Sequence, residues 1–417
     1  MGINKWQKKP LKSLCTRIGD GLHGTPTYDE NSEFYFINGN NLKNGKIEIT
    51  NNTNTVTKED FKKNFIPLNQ NTLLLSINGT LGSMAFYNNE KIMLGKSAAY
   101  INFKEDINKF YYYYFQLKEI QEYFHNVATG STIKNLSLKS IQDFEVPIPD
   151  KIELENISNV LSSLDSKIEL NNKINKELEA MAKTLYDYWF VQFDFPNVNG
   201  KPYKSSGGKM VYNQELKREI PYGWEVENLA SSTLTTMIIP KIEKFDFEKI
   251  YLSTSEVDKT KIINHEQKIT FKDRPSRANM QPIKNSIWFA RMKNTKKLIL
   301  IGEYSKAIID KYIFSTGFAG LSVRDNALYY VWNTINNDGF EDIKDTLASG
   351  STQKAVTNEA ISNIRLLVPN ENILNQYTHI LLPFFKKIYV NEQQNQELAN
   401  LRDWLLPMLM NGQVKVK

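Results

Sequence analysis

A regular spacing of apolar positions runs through residues 152–190, where the chain changes character. From Ile157 to Leu185 nine mainly apolar seam positions follow one another at alternating steps of four and three residues. This spacing predicts a long amphipathic helix with a coiled-coil seam. The same steps return near the C-terminus, from Tyr377 to Leu405. The chain is therefore expected to contain two long helices, and antiparallel packing would bury both seams.

Each seam is interrupted by two asparagines at equivalent places, Asn171 with Asn175 and Asn391 with Asn395. Polar residues in an apolar seam cost stability but fix the register of the helices. Antiparallel packing would bring the two pairs close together, and exposure to solvent is the alternative. Pro383 predicts a kink or an interruption one turn into the second helix, because proline removes a backbone donor.

The two helical segments belong to a longer internal repeat with an offset of 220 residues. Between residues 130 and 185, 15 of 56 positions are identical in the second copy, where unrelated sequence would give roughly 3. The match begins with Gly130-Ser131-Thr132-Ile133-Lys134 and Gly350-Ser351-Thr352-Gln353-Lys354. A repeat of this length indicates two copies of a whole module, and therefore a pseudo-two-fold internal repeat.

Short apolar runs between Asn/Gly-rich turns precede each helix and predict mixed α/β domains. Residues 34–37 and 72–76 are expected strands, and the aromatic run 110–115 leads into an expected helix. We expect this run to pack in the core rather than to form a base-stacking platform. The predicted fold class is α+β, with two mixed α/β domains joined by two long antiparallel coiled-coil helices. The predicted boundaries are 1–150 for the first domain, 151–190 for the central helix, 191–220 for an exposed connector loop, 221–370 for the second domain and 371–417 for the C-terminal helix.

The composition is that of an ordinary globular protein, with 41% hydrophobic and 24% charged residues. No apolar run reaches the length of about 18 residues that a membrane span needs, and residues 1–6 lack the apolar core of a signal segment. The single cysteine, Cys15, excludes an intrachain disulfide and a cysteine zinc site and indicates a reducing cytoplasm. Metal-ligand spacing is absent from the four histidines, so no metal site is expected: His23, His125, His265 and His379.

The net charge of +6 leans basic, and the basic residues concentrate between positions 268 and 311. This tract holds 11 basic residues against 3 acidic ones. Cations suit phosphate oxygens, whereas arginine and asparagine side chains suit the edges of bases. A solvated surface is the alternative interpretation. The candidate DNA contacts of this tract are Arg274, Arg277, Asn279, Arg291 and Lys293.

The first domain carries a weaker basic signal, with 17 Lys/Arg against 15 Asp/Glu over residues 1–150. Its candidate DNA contacts are His23, Thr25 and Tyr28 on a turn-rich loop, together with Lys91 and Lys96. The repeated Gly-Ser-Thr-x-Lys motif suits a phosphate oxygen, and it equally suits a cap for the helix that follows. Its candidates are Ser131, Thr132, Lys134, Ser351, Thr352 and Lys354.

Five stretches, taken in order along nearly the whole chain, resemble the specificity subunit of a type I restriction–modification system. They are Asp20–Tyr28, Asn38–Leu42, Tyr188–Asp194, Pro221–Trp224 and Leu405–Val414. The resemblance implies two target-recognition domains, each reading one half of a split double-stranded DNA sequence. It also implies that the helices separate the halves and dock two methyltransferase subunits, and that restriction subunits with motor and nuclease activity join the complex. S-adenosylmethionine, ATP and magnesium would belong to those partners, and this chain would hold no cofactor.

No catalytic constellation is visible in the sequence, so no catalytic residue is assigned. Leu94-Gly95-Lys96-Ser97 ends like a phosphate-binding loop, but Glu90 stands where the leading glycine is required. Asp150 and Asp165 mimic a nuclease pair, but the second copy has neither acid, which favours a solvated helix face. Two other interpretations remain open: a single-chain enzyme acting on nucleic acid, such as a nuclease, and a two-headed protein-binding adaptor.

Overall fold

The computed structural model describes residues 6–131, 134–263, 267–350 and 354–416. The chain divides into two compact units. The first unit consists of residues 1–170 and 394–417, and the second of residues 171–393. Each long helix therefore contributes one part of its length to each unit, because each part packs with the nearer mixed domain.

The first unit alternates short strands and helices before the chain enters a long helix. The elements are β1 (Gln7–Pro10), β2 (Cys15–Asp20), β3 (Phe34–Ile37), β4 (Leu42–Lys43), β5 (Lys46–Ile47), β6 (Thr55–Val56), α1 (Lys58–Lys63), β7 (Thr72–Ser76), β8 (Met84–Phe86), β9 (Ile92–Leu94), β10 (Ala98–Phe103), α2 (Asn108–Tyr114), α3 (Lys118–Val127), α4 (Leu138–Gln142), β11 (Glu145–Ile148) and α5 (Lys151–Tyr186).

Two sheets and two ribbons organise the first unit. The larger sheet is antiparallel with the order β2-β10-β7-β8, and its central strands β7 and β10 are buried throughout. The smaller sheet has the order β6-β3-β9, in which β3 and β9 run parallel. β4 and β5 form a hairpin, while β1 pairs with β11 in an antiparallel ribbon. The strands predicted at 34–37 and 72–76 are present as β3 and β7.

The aromatic run Phe110–Phe115 is buried and joins the main apolar core of the first unit. Phe103 stacks on Tyr111 with ring centroids 5.2 Å apart. The Tyr111 hydroxyl donates to the carbonyl of Pro147 at 2.9 Å, so its polar end is also satisfied inside the protein. The rings therefore serve packing, and they are not available as a base-stacking platform.

The second unit continues with a hairpin and then a second mixed domain. Its elements are β12 (Met210–Asn213), β13 (Arg218–Pro221), β14 (Glu225–Asn228), β15 (Thr235–Ile238), β16 (Lys249–Leu252), β17 (Val257–Asp258), β18 (Lys261–Ile262), β19 (Lys268–Ile269), β20 (Ala278–Met280), β21 (Ser286–Ala290), β22 (Leu298–Ile301), α6 (Lys306–Lys311), β23 (Tyr312–Ser315), β24 (Phe318–Val323), α7 (Leu328–Ile335), α8 (Asp338–Leu347), α9 (Asn358–Ser362), β25 (Arg365–Val368) and α10 (Glu371–Met410).

The second unit repeats the topology of the first even where the sequences differ. Its antiparallel sheet β15-β24-β21-β22 corresponds to β2-β10-β7-β8, and its ribbon β14-β25 corresponds to β1-β11. The parallel pair of β16 and β23 corresponds to β3 and β9. An additional strand, β20, joins the smaller sheet beside β23 and follows β19, whereas in the first unit the helix α1 follows β6. We call residues 7–148 the first head and residues 225–368 the second head.

The helices pack against each other within each unit, which confirms the predicted fold class. In the first unit Arg402 of α10 donates to Asp165 of α5 at 2.7 Å, and Tyr113 of the head donates to the same carboxylate at 2.6 Å. In the second unit Asn391 donates to Asn175 across the helix pair at 2.7 Å.

Among the described residues, no helix is long and apolar enough to cross a membrane.

Pro383 does not interrupt α10, which is helical from Glu371 to Met410. The interruption predicted from the sequence is therefore wrong. Tyr377 and Leu381 on its N-terminal side and Ile388 on its C-terminal side are buried in the second unit. Their packing holds the helix on both sides of the proline, although the proline removes one backbone donor.

The segment 191–220 contains more structure than the predicted exposed loop. The hairpin of β12 and β13 occupies its second half. Phe193 and Phe195 are buried in the core of the second unit, and Phe195 stacks on Trp224 with ring centroids 5.1 Å apart. The prediction weighed the Gly/Pro content of this segment and missed that its aromatic residues supply apolar anchors.

Candidate nucleic-acid interface

Three loops of the first head converge at the C-terminal end of β9. The Leu22 amide donates to the Leu94 carbonyl at 2.8 Å, and the Lys96 amide donates to the Leu22 carbonyl at 3.0 Å. The Gly39 amide donates to the Ser97 hydroxyl at 2.9 Å. A Cβ atom at Gly21 would lie 2.0 Å from the Leu94 carbonyl oxygen, so this close approach requires glycine. The sequence stretches that begin at residues 20 and 38 therefore form one loop cluster.

The loop cluster displays several of the predicted contact residues. His23, Thr25 and Lys96 are exposed. His23 Nε2 lies 2.7 Å from an Asp20 carboxylate oxygen, which orients the imidazole ring. Tyr28 is 48% exposed and packs edge-on against Phe36. The loop cluster thus exposes a hydroxyl, an imidazole and a cation, and such groups suit base edges and phosphates.

Lys91 lies outside the loop cluster. It precedes β9, whereas Lys96 follows it, so the two lysines stand at opposite ends of the same strand. The Lys91 ammonium pairs with the Glu33 carboxylate at 2.5 Å on the exposed surface. The structure therefore separates two residues that the sequence analysis grouped together.

A loop of the second head, residues 292–295, brings Lys293 and Lys354 together. The Lys293 amide donates to the Lys354 carbonyl at 2.9 Å, and both residues are exposed. Asn294 is also exposed and has a φ angle of 54°, in the left-handed region that asparagine tolerates better than most residues. We refer to this segment as the 292–295 loop.

Arg291 has a structural role that the sequence analysis did not anticipate. Its guanidinium donates to the backbone carbonyls of Phe318 and Val356 at 3.2 and 3.3 Å. Burial lowers the pKa of this guanidinium from its ordinary value. Two of its three guanidinium nitrogens are thus bound to backbone carbonyls of the second head.

Arg274, Arg277 and Asn279 lie on the segment that leads into β20 and on that strand. The Arg274 guanidinium sits 4.5 Å from the centroid of the Phe271 ring and donates to the Phe271 carbonyl, so it is held in place. Arg277 is exposed, and Asn279 is half-buried. The Arg277 carbonyl accepts from the Thr316 amide at 2.9 Å, which ties this segment to the turn after β23.

The helices that follow the two Gly-Ser-Thr-x-Lys motifs take their N-caps from residues after the motif. The N-caps of α4 and α9 are Ser137 and Thr357, each accepting from a backbone amide. Lys134 instead donates to the carbonyl of His125 in the last turn of the preceding helix, at 2.8 Å. Ser131 is exposed. Five residues of the two copies lie outside the described residues: Ile133 and Gln353, and the candidates Thr132, Ser351 and Thr352.

The register asparagines lie at the helix seam. Asn171, Asn175 and Asn391 are buried, and Asn395 is half-buried. The Asn391–Asn175 hydrogen bond leaves Asn175 Nδ2 and Asn391 Oδ1 buried without a hydrogen-bond partner. A polar pair of this kind costs stability and favours one alignment of the helices.

The acids that mimic a nuclease site have structural partners. Asp165 accepts from Arg402 and Tyr113, and Asp150 accepts from the Glu153 amide at the start of α5 at 2.9 Å. Across the part of the chain that the structure describes, no group of three or more His, Cys, Asp or Glu side chains could hold a metal ion.

Two residues important for this surface were missed by sequence reasoning, namely Lys344 and Asp345 of α8. Lys344 is 1% exposed and donates to the carbonyls of Met292 and Thr295. The repeat offset places Lys344 opposite Phe124, which is buried in the first unit. A lysine at an apolar position of the repeat is the signal that could have identified it.

Comparison with known proteins finds similarity to one family. The family model described as the type I restriction modification DNA specificity domain matches residues 3–180. The chain is 26% identical over 429 residues to the type I restriction enzyme MjaIX specificity subunit of Methanocaldococcus jannaschii, covering 99% of this chain and 94% of that protein. It is 23% identical over 351 residues to the HindI specificity subunit of Haemophilus influenzae, covering 71% and 75% of the two chains.

A solved structure supports the fold. The S subunit of a type I restriction–modification system from M. genitalium aligns over 98% of this chain and 96% of its own, with a TM-score of 0.56 and 16% sequence identity. At this identity the likeness concerns the path of the chain and not the side chains of the loops.

Proposed function

This chain belongs to the family of type I restriction–modification specificity subunits, and we propose that it selects the DNA sequence on which such a complex acts. Each head would read one half of a split double-stranded target. The observation that carries this proposal is that the two heads share one topology while their exposed loops differ. Two domains with the same fold and different exposed loop residues suit a DNA target with two different halves.

The exposed loops support DNA contact in both heads. The loop cluster of the first head presents His23, Thr25 and Lys96, and the second head presents Lys293 and Lys354 beside each other. Cationic groups position a protein on the phosphates, and the neighbouring polar groups reach base edges. Arg277, just before the additional strand β20 of the second head, and Asn279 on that strand extend that surface.

Partner docking is proposed from apolar side chains that the helices leave exposed. In the first unit Leu170 and Leu401 are exposed. In the second unit Val390 and Met181 are exposed, and the offset of 220 makes them the equivalents of the first pair. Equivalent exposed apolar pairs suit two copies of the same partner, which we propose to be methyltransferase subunits. Restriction subunits would join the complex through these methyltransferase subunits.

We propose that the chain is not itself catalytic and holds no cofactor. The carboxylates nearest to a nuclease pattern have structural partners, as described above. S-adenosylmethionine, ATP and magnesium would then be bound by the methyltransferase and restriction subunits. We also propose that the complex acts in the cytoplasm, where its DNA substrate would be found.

The test compares the purified chain with the reconstituted complex. Both are incubated with long duplex DNA, S-adenosylmethionine, ATP and magnesium, and methylated bases are mapped by sequencing. We expect methylation at one split sequence with the complex and none with the chain alone. Methylation or cleavage by the chain alone would show a single-chain enzyme, and failure of the chain and the complex to retain duplex DNA on a filter would favour a protein-binding adaptor.

A further inference from the structure

The 292–295 loop is fixed by two neighbouring residues of α8. The Lys344 ammonium donates to the carbonyls of Met292 and Thr295 at 3.1 and 3.0 Å, and also to the Glu341 carboxylate. Asp345 accepts the Asn294 amide with both carboxylate oxygens at 3.0 Å. Together they satisfy backbone donors and acceptors of the loop, so the loop has a defined conformation without burying its own side chains.

The first head holds the equivalent turn in a different way. There the turn between β7 and β8 inserts Leu81 into the same apolar core that contains Phe124. In the second head a lysine replaces that phenylalanine, although burying an ammonium is costly unless every donor is paired. The exchange replaces an apolar anchor with a polar one, and Lys293 and Asn294 of the loop it holds are exposed. Such an arrangement suits a loop whose side chains face a ligand.

Asn294 has the geometry and chemistry of a base-reading residue. Its backbone is held by Asp345, which leaves its exposed side-chain amide to donate and accept at the same time. A side-chain amide that donates and accepts at once fits adenine, which presents one donor and one acceptor in the major groove. Lys293 and Lys354 stand beside it and supply charge for the phosphates.

We propose that the 292–295 loop is a specificity-determining element of the second head, in which Asn294 contacts a base edge and Lys344 and Asp345 act as positioning residues. The inference rests on the proposed function and deepens it. It assigns the reading of one base pair, within one half of the target, to a particular side chain.

The test uses Asn294→Gly in the full chain, assembled with its methyltransferase subunits. Glycine tolerates the φ angle of 54°, so this substitution removes the amide and retains the loop conformation. The wild type and the variant each select from a library of randomised duplexes, which is then sequenced. We expect discrimination to fall about 10-fold at one base pair, the value of a lost bidentate contact, with the other positions unchanged.

Lys344→Met and Asp345→Asn test positioning in the same assay. We expect both to weaken discrimination at the position that Asn294→Gly affects, with unchanged salt dependence of non-specific binding. Asp342→Asn is the matched control, because Asp342 is an exposed acid on the same helix. If the melting curve shows that Lys344→Met does not fold, Asn294→Gly and Asp345→Asn test the base contact and its positioning without it.

The two proposals fail in different ways. A wild-type complex that selects no sequence from the library would overturn the proposed function. A wild-type complex that selects a sequence, combined with an Asn294→Gly variant that selects the same sequence equally sharply, would overturn only the assignment of the loop. A uniform loss of affinity at every position would also overturn it, because that pattern indicates phosphate contact alone.

Discussion

Lys134 and Lys354 occupy the same place in the repeated motif but have different surroundings. Lys134 donates to the end of the helix before it, which is the position where a cation stabilises the exposed carbonyls. The backbone carbonyl of Lys354 holds the 292–295 loop, and its side chain is exposed. At the residue scale, identical residues at equivalent positions of a repeat therefore need not have identical roles.

We predict that Lys354→Ala and Lys134→Ala act on different properties of the complex. Lys354→Ala should weaken binding to all duplexes and lower the slope of log affinity against log salt by about 1, as expected for one lost phosphate contact. Lys134→Ala should leave that slope unchanged and lower the melting temperature. Lys118→Ala, at an exposed lysine of the first head, is the control. A reduced slope in Lys134→Ala would return Lys134 to the phosphate-binding group.

We predict that Cys15 is unreactive while the protein is folded. Burial raises the pKa of its thiol to about 12, so about one thiol in ten thousand is ionised at pH 8. The folded state holds the proton more tightly than the unfolded state. The stabilisation from this thiol is therefore present below its ordinary pKa of 9.0 and is lost as the pH rises toward 12. Labelling at pH 8 with a thiol reagent should be fast only in urea, and fast labelling without urea would contradict the prediction.

Individual contact residues were the least predictable part of the sequence. Arg291 and Lys293 are two positions apart and equally basic, yet one is committed to inner carbonyls and the other is exposed. β21 ends at Ala290, so Arg291 still lies beside the sheet, whereas Lys293 lies in the following turn. Residue type alone does not reveal where the strand ends. Lys344 was missed for the converse reason, because a lysine on an amphipathic helix is expected to face water.

At the scale of elements, the seam spacing predicted the helices well because a long periodic signal averages over local exceptions. The interruption expected at Pro383 was wrong because tertiary packing outweighed one lost hydrogen bond. Strands such as β7 were predictable from a continuous apolar run between turn residues. The repeat indicated two copies of one module, but the strand order within each head was not predictable, since side-chain patterns diverge where the backbone path is retained.

We predict that the Asn175–Asn391 pair reduces stability while fixing alignment. Asn391→Ala should cost about 1–3 kcal/mol in the free energy of unfolding, because it leaves the Asn175 amide buried without its partner. Replacing both residues with leucine should restore or raise stability, since it removes every unpaired polar atom of the pair. Urea unfolding measures both effects, with exposed Gln396→Ala as the control. A single substitution without cost would contradict this account.

At the scale of the whole molecule, the repeat makes a quantitative prediction about assembly. Leu170→Glu with Leu401→Glu should remove one methyltransferase subunit from the complex, because charge replaces exposed apolar contact area in the first unit. Met181→Glu with Val390→Glu should remove the other. All four substitutions together should leave the chain without methyltransferase. Native mass spectrometry reads the subunit count, and an unchanged count in either pair would exclude that surface from docking.

The two-stranded ribbons β1-β11 and β14-β25 affect how the encoding gene can change by recombination. β1 pairs with β11 and β14 pairs with β25, so the chain enters and leaves each head through adjacent strands. Gln7 lies opposite Ile148, and Glu225 lies opposite Val368. Recombination between genes, with crossovers in the codons for the two strands of one ribbon, would exchange an entire head as a cassette. A cell could thereby acquire a new recognition sequence in one genetic event and retain the helices intact.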